Sequence, residues 1–552
     1  MSPPIAPTDR LRADLAALAE RLEALRLGLG GHDAARRRTL RDRTVWAIRG
    51  HLQPRLAAPR APLLVAVFGP TGSGKSTLVN ALAGMVVSRP GAVRPTTERA
   101  VVWCHRDAEL PDALHSTGPV TRVESSDPLL ARLTLVDTPD IDSYVTTHRA
   151  QTERILAIAD AVIYVTTPQR YGDEVPWSFL RALAERRVPL LVVANRMTRS
   201  AAGAVTDLAS LLRGEGVKSI AGTDEVFEIR EQRLVDGVLP RPAVRTVRVQ
   251  LEGLSMAHER AVRRTIDGAI GAVTSAAGAV ASEVRLQHAE ADALRDAVRV
   301  AYRREPDAVD GSAPAAGLVR GEIVERWQRL VGVPDLVRSA SRGPGRTRRF
   351  ARTRPDRSAV RTVEHEAREQ LVELAMSRIR RAVDAVCDAW DRDPAGRELL
   401  GERLRRPGPD TRARAESEID DWHEGLVVLV EERRRPRPRV GPEGVDAAAV
   451  LLLLSVFEST SAAAQESEVR AGAPARQTAL EHVFGGAAAR LLADRARRDL
   501  VDRVSSVLSH DADRFIARVD AEADDPSVAG EIELGVGAVR ATWEEMRRAA
   551  AV

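Results

Sequence analysis

One eight-residue run constrains this chain more than any other: Gly69-Pro70-Thr71-Gly72-Ser73-Gly74-Lys75-Ser76, a complete G-x-x-x-x-G-K-[ST] pattern. Its flanks are the ones the pattern needs. Leu63-Leu64-Val65-Ala66-Val67-Phe68 reads as a buried strand entering the loop, and Leu78, Val79 and Leu82 give the following segment a helical apolar stripe. Strand, glycine-rich loop and helix predict a nucleotide phosphate site, where free backbone amides and the positive helix end cradle an anion. Lys75 is placed to meet the β and γ oxygens, and the Ser76 hydroxyl to ligate Mg2+. The nucleotide contacts expected from this run are Gly69, Pro70, Thr71, Gly72, Ser73, Gly74, Lys75, Ser76 and Thr77. The whole chain holds only two lysines, Lys75 and Lys218, and one stands where a slim ammonium must enter a nest of N–H groups. An arginine fork would not fit there.

A chain of 552 residues is long enough for two or three domains, because a single hydrophobic core stops growing near about 250–300 residues. Aromatic residues make up only 3%, so the core must be built from Leu, Val and Ala, a mixture that favours packed helices. A net charge of +4 excludes a general nucleic-acid binder and makes any basic function local. Cys104 and Cys387 lack metal-site spacing and read as small buried residues of a reducing compartment. The start, Met-Ser-Pro-Pro, lacks the apolar core of a secretory signal, and no apolar run reaches the roughly 18–20 residues that span a bilayer. The expected location is the cytoplasm, with any membrane contact made peripherally at the inner face of the cell membrane.

The strand and helix pattern predicts an α/β P-loop NTPase domain, a mostly parallel sheet with helices on both faces, followed by a long α-helical stalk-like region. The expected boundaries are 1–57 for N-terminal helices that pack on the stalk, 58–240 for the nucleotide domain and 241–552 for the helical region. Leu11, Leu15, Leu18, Leu22 and Leu25 follow the a/d spacing of a helical seam, and Thr39 to Leu56 reads as a second helix. After the first strand, further strands are expected at Ala100 to Cys104, Leu133 to Asp137, Ala161 to Thr166, Pro189 to Ala194 and Glu225 to Ile229. Helices are expected at Thr147 to Ile158, Val175 to Glu185 and Ala204 to Arg213.

Leu133-Thr134-Leu135-Val136-Asp137-Thr138-Pro139 narrows the chemistry, since a strand here delivers a carboxylate beside the Mg2+. Between this strand and the phosphate loop lies Arg94-Pro95-Thr96-Thr97, where a hydroxyl is placed to close over the metal and the γ-phosphate. Lys75, Thr97 and Thr96 are the expected catalytic set, and Ser76, Thr97 and Asp137 the metal set. Asp140, Asn195 and Arg196 complete the expected nucleotide contacts.

The order GPTGSGKS, RPTT and DTPD, with a long helical part after it, resembles the bacterial dynamin-like GTPases, and the Phe-Gly-Gly before the arginine-studded segment Ala487 to Leu508 resembles their actinobacterial branch. The resemblance implies GTP hydrolysis with Mg2+, coupled to self-association at a membrane. Four residues depart from the family pattern. Asp140 stands where Asp-x-x-Gly has its glycine, and Thr198 of Asn195-Arg196-Met197-Thr198 replaces the aspartate that reads guanine. Gly72 replaces a serine that helps stabilise the transition state, and no glutamine follows Asp140 to orient water. These departures predict slow turnover, accelerated if dimerisation supplies groups such as an arginine in trans. They leave open a nucleotide-gated scaffold with negligible hydrolysis, or an ATP-using subunit of a transport or repair machine.

Residues 338–357 read as a flexible basic loop suited to an anionic membrane surface, and with Phe350 as their only aromatic they offer no stacking platform for nucleic acid. Ala447 to Phe457 is too short to cross a bilayer and reads as a core helix. Gly268 to Ser282, rich in small residues, reads as a stalk helix that neighbours approach closely. His105, His148 and His482 show neither metal spacing nor triad partners.

Overall fold

The computed structural model describes residues 6–88, 99–141, 146–217, 226–307, 357–432 and 486–549. Seven strands form one sheet: β1 (Leu63–Phe68), β2 (Ala100–His105), β3 (Val120–Ser125), β4 (Leu133–Asp137), β5 (Ala161–Thr166), β6 (Leu190–Met197) and β7 (Val226–Arg230). Their order is β3-β2-β4-β1-β5-β6-β7, and every pairing is parallel except β2 with β4. The α/β P-loop expectation is borne out. β3 was not foreseen, because its outward positions Arg122 and Glu124 break up the apolar pattern of a half-exposed strand.

β1 shows why the sheet is covered on both faces. Leu63, Val65 and Val67 enter one apolar cluster and Leu64, Ala66 and Phe68 the other, as the two-residue repeat of a strand requires. The first face is covered by α4 (Lys75–Ala83), α9 (Arg241–Met256) and the start of α10 (His258–Asp307). The second is covered by α5 (Asp112–Ser116), α6 (Thr146–Ile158), α7 (Glu174–Glu185) and α8 (Ala202–Gly214).

The described residues fall into two compact units, one from Met1–Leu27, Ala35–Leu286 and Asp524–Val552, the other from Gly28–Ala34 and Gln287–Ala523. This division cuts across the expected boundaries at 57 and 240. In the first unit α1 (Pro7–Glu23) buries Leu11, Leu15, Leu18 and Leu22 in the same cluster as Ile532, Val536 and Val539 of the last helix, Ser527–Ala549. The helix expected at Thr39 to Leu56 instead begins at Gly31 as α2 (Gly31–Ala47), passes through a π turn at Ile48–Leu52 and ends as α3 (Gln53–Ala57). A π turn widens the helix by one residue. This one carries His51 into a buried contact with Asp160 at 3.2 Å.

Gly268 to Ser282 belongs to the first unit, where Ala269, Ile270, Val273, Ala277 and Ala281 join the core of the nucleotide domain rather than a separate stalk. Only Gly268 is needed for close approach, since a Cβ there would lie 1.9 Å from the Arg186 carbonyl oxygen; Gly271 and Gly278 face open space.

The second unit contains the rest of α10, α11 (Arg357–Arg392), α12 (Pro394–Leu399), α13 (Thr411–Glu432) and α14 (Gly486–Glu522). Its core gathers Trp390, Trp422 and Phe515, with Trp390 edge-on to Phe515 at 5.5 Å. Both indoles donate to backbone carbonyls, Trp390 to Leu294 and Trp422 to Ala496. Among the described residues no helix is long and apolar enough to cross a membrane. Thr96, Thr97, Ala447 to Phe457 and the basic loop up to residue 356 lie outside the described residues.

Candidate functional site

The C-terminal ends of β1, β4, β5 and β6 converge on the loop from Gly69 to Gly74. Gly69 has φ 153°, and a Cβ on it would sit 2.0 Å from the Val165 carbonyl oxygen at the end of β5. Gly74 caps α4 in the left-handed conformation at φ 93°, where a Cβ would fall 2.2 Å from Asn195 Nδ2. Any side chain at either position would push the loop off its neighbouring strands. Asn195, at the end of β6, donates from Nδ2 to the Ser73 carbonyl at 2.8 Å and accepts the Arg196 N–H on Oδ1 at 2.9 Å. Arg196 itself is held at φ 55°, a left-handed conformation rare for a residue with a Cβ.

Lys75 is buried at the first turn of α4. Its Nζ donates to the carbonyls of Gly69 at 3.0 Å and Pro70 at 3.2 Å, and to Asp140 Oδ1 at 2.5 Å. Asp137 ends β4, fully buried. Thr138, the next residue, donates both its N–H and its hydroxyl to the Val67 carbonyl, at 3.2 and 3.0 Å, which pins the exit from β4 against β1. Thr152 of α6 donates to the Pro139 carbonyl at 3.0 Å. Ser76 and Thr77 lie half-buried on the first turn of α4, Thr71 is half-buried in the loop, and Gly72 is exposed.

Ser73 Oγ in the loop and Asp137 Oδ1 at the end of β4 are among the buried oxygens that lack a hydrogen-bond partner among the described residues, and Thr166 Oγ1 at the end of β5 is another. A buried polar atom without a partner is costly, and these three stand at the strand ends beside the loop where a ligand is expected. Burial lifts the Asp137 carboxyl above its ordinary value, against the opposing pull of the Ser76 and Ser88 hydroxyls and of Lys75. A buried carboxylate oxygen with no donor, next to a serine hydroxyl, fits a hard divalent cation.

Ser88 and Asn80 escaped the reading of the sequence. Ser88 donates to Asp137 Oδ2 at 2.7 Å, and Asn80 positions it by accepting the Val87 and Ser88 N–H groups, each at 2.8 Å, while its own amide donates to the Ser88 carbonyl. One signal was available: an asparagine fully buried within the apolar stripe of a helix is a poor choice unless its amide has work elsewhere.

The fold is that of a P-loop GTPase domain. Residues 64–196 match the family model described as 50S ribosome-binding GTPase. Among curated proteins, a probable transmembrane GTPase, FZO-like and chloroplastic, from Arabidopsis thaliana is 28% identical over 139 residues. That match covers 24% of this chain and spans only 15% of the relative's length. Among solved structures, a bacterial dynamin from an oligomerised pair that senses and tethers membranes overlaps 91% of this chain and 95% of its own, at 11% identity and a TM-score of 0.42. An Era GTPase of Aquifex aeolicus bound to GDP and aluminium fluoride overlaps 35% of this chain and 56% of its own, at 18% identity and a TM-score of 0.25.

Proposed function

We propose that this chain is a dynamin-like GTPase that binds and slowly hydrolyses GTP with Mg2+, and that nucleotide state governs its self-association and its attachment to an anionic membrane surface. One observation carries the nucleotide reading: the glycine loop and the end of β4 bring the buried Lys75 together with two partnerless oxygens, Ser73 Oγ and Asp137 Oδ1. The preference for GTP over ATP rests on the family match to residues 64–196 and not on a base contact, since Thr198 supplies no carboxylate to read the guanine edge.

In this reading the loop amides and Lys75 bind the phosphates, and Asn195 fixes the loop by its bond to the Ser73 carbonyl. Ser76 and Asp137, with Thr97 or Thr96, would hold Mg2+, which supplies charge neutralisation at the β and γ oxygens. Ser88 orients Asp137. Slow turnover follows from Ile141, a buried aliphatic residue, standing directly after Asp140 where a water-orienting glutamine is absent. Membrane attachment is assigned to the basic residues of 338–357, each adding about 1 kcal/mol near an anionic surface.

Calorimetry of the full chain with Mg2+ and either GTP or ATP tests the site. Lys75→Ala should abolish measurable uptake, and uptake unchanged by that substitution refutes the assignment. Single-turnover phosphate release with and without phosphatidylserine vesicles tests the coupling. A nucleotide-gated scaffold with negligible hydrolysis is the second reading, favoured by the Asp140 carboxylate that sits on Lys75.

A further inference from the structure

Asp140 occupies the position from which a glycine N–H would otherwise serve the terminal phosphate, and its side chain has taken the site's cation. Its Oδ1 lies 2.5 Å from Lys75 Nζ, and the two side chains are 3% and 4% exposed. An ammonium has three donors. All three of Lys75 are accounted for, by the carbonyls of Gly69 and Pro70 and by the Asp140 carboxylate. A phosphate oxygen that reaches this lysine must therefore displace a partner, and the carboxylate is the only anion among them.

The chain leading into Asp140 is held by hydrogen bonds, and the residue after it is buried. Thr138 is bonded to Val67, Pro139 is held through its carbonyl by Thr152, and Ile141 is buried. Rotation of the Asp140 side chain is thus the smallest movement that frees Lys75. The charge balance argues the same way, since Asp137 and Asp140 place two carboxylates around one ammonium, and Asp140 acts on Asp137 as a like charge.

Resting on the proposed nucleotide site, we propose that Asp140 is a built-in competitor for the nucleotide's terminal phosphates, a carboxylate that occupies Lys75 in the empty protein and must leave it before a nucleoside triphosphate is seated. The competitor sets a threshold on loading. A ligand that brings both phosphate and a divalent cation overcomes it, because the cation offsets the charge of the displaced carboxylate and of Asp137.

The test uses the full chain, Asp140→Asn and a non-hydrolysable GTP analogue with Mg2+, read by calorimetry. Loss of a competing charge-assisted hydrogen bond should tighten analogue binding by about 10–100-fold. Near-UV circular dichroism checks the fold, and Asp140→Ser replaces Asp140→Asn if the amide variant does not fold. Because the chain has only two lysines, protein labelled with 13C at lysine Cε gives two signals, assigned by Lys218→Arg. The Lys75 signal of the nucleotide-free protein should move in the Asp140 variant.

Equal or weaker binding by the variant, with the wild type binding normally, overturns the competitor and leaves the nucleotide site standing. Tighter binding with an unmoved Lys75 signal also overturns it, since a general relief of negative charge then accounts for the gain. Uptake by the variant alone supports both the competitor and the site. Uptake by neither removes both.

Discussion

The two ends of the central sheet each bury a carboxylate, and they treat it in opposite ways. Asp137, at the C-terminal end of β4, has one oxygen on Ser88 and the other on nothing among the described residues. Asp160, just before β5, is fully engaged. Its Oδ1 meets His51 Nε2 at 3.2 Å, and its Oδ2 accepts the Leu64 N–H at 2.9 Å and the Arg55 guanidinium. Its backbone carbonyl takes the Thr265 hydroxyl of α10 at 3.1 Å. Burial pushes both carboxyls up, but at Asp160 the Arg55 guanidinium and then His51 outweigh it and hold the group below its ordinary value, whereas at Asp137 burial wins. One end of the sheet is closed and structural. The other keeps a carboxylate oxygen without a protein donor, at the place proposed for the nucleotide.

Substitutions at the two ends should therefore differ in sign. The largest effect is expected from Asp160→Ala, which leaves Arg55 buried without its carboxylate and should cost about 3–5 kcal/mol in urea unfolding. A loss under 1 kcal/mol would remove the contrast between the ends. Asp137→Asn should do the reverse. A raised carboxyl contributes stability that is fully present below its unfolded value and is lost as pH rises through the folded value, so ionised Asp137 destabilises the nucleotide-free fold at neutral pH. The amide should raise nucleotide-free stability by about 1–3 kcal/mol, because it removes a buried charge that Ser88 and Lys75 only partly offset, while Mg2+-dependent analogue binding disappears. A fall in the melting temperature would show that Asp137 is structural like Asp160.

Gly268→Ala probes how α10 seals the closed end, because its Cβ would meet the Arg186 carbonyl. We expect a loss of about 1–3 kcal/mol from overpacking. Gly278→Ala, facing open space on the same helix, should instead gain up to about 1 kcal/mol, the helix-propensity difference. Equal effects at the two glycines would mean that α10 does not bear on the sheet.

The smallest effect is a change of slope. Burial holds the His51 imidazole below its ordinary value despite the pull of Asp160, so its contribution is fully present above ~6.5 and is lost as pH falls toward the lowered folded value. The Asp160 contribution is lost only at lower pH, as it falls below ~3.9 toward that carboxyl's depressed value. Chemical denaturation between pH 7 and pH 5 should show stability declining in the wild type and a flatter dependence in His51→Gln.

Local signals carried much of this molecule. The glycine loop, the apolar runs of β1, β4 and β5, and the leucine seam of α1 were legible because backbone geometry and one-sided burial impose short periods on the sequence. The loop's glycines were legible because approaches of 2.0 and 2.2 Å at Gly69 and Gly74 leave no room for a Cβ. Contacts that join distant residues leave no such period. The pairing of Lys75 with Asp140, the Asn80 amide that orients Ser88, and the π turn that carries His51 to Asp160 arise only when separate segments meet. The assignment of Gly268 to Ser282 to the nucleotide domain belongs with them, since an apolar helical stripe records that a face is buried but not what buries it. The chain's own order of residues thus determined the glycine loop between β1 and α4, where the phosphate site is proposed. Which charge occupies the cradle's lysine, and which end of the sheet is sealed, was decided by tertiary structure, because both depend on desolvation and on partners brought together from distant positions in the chain.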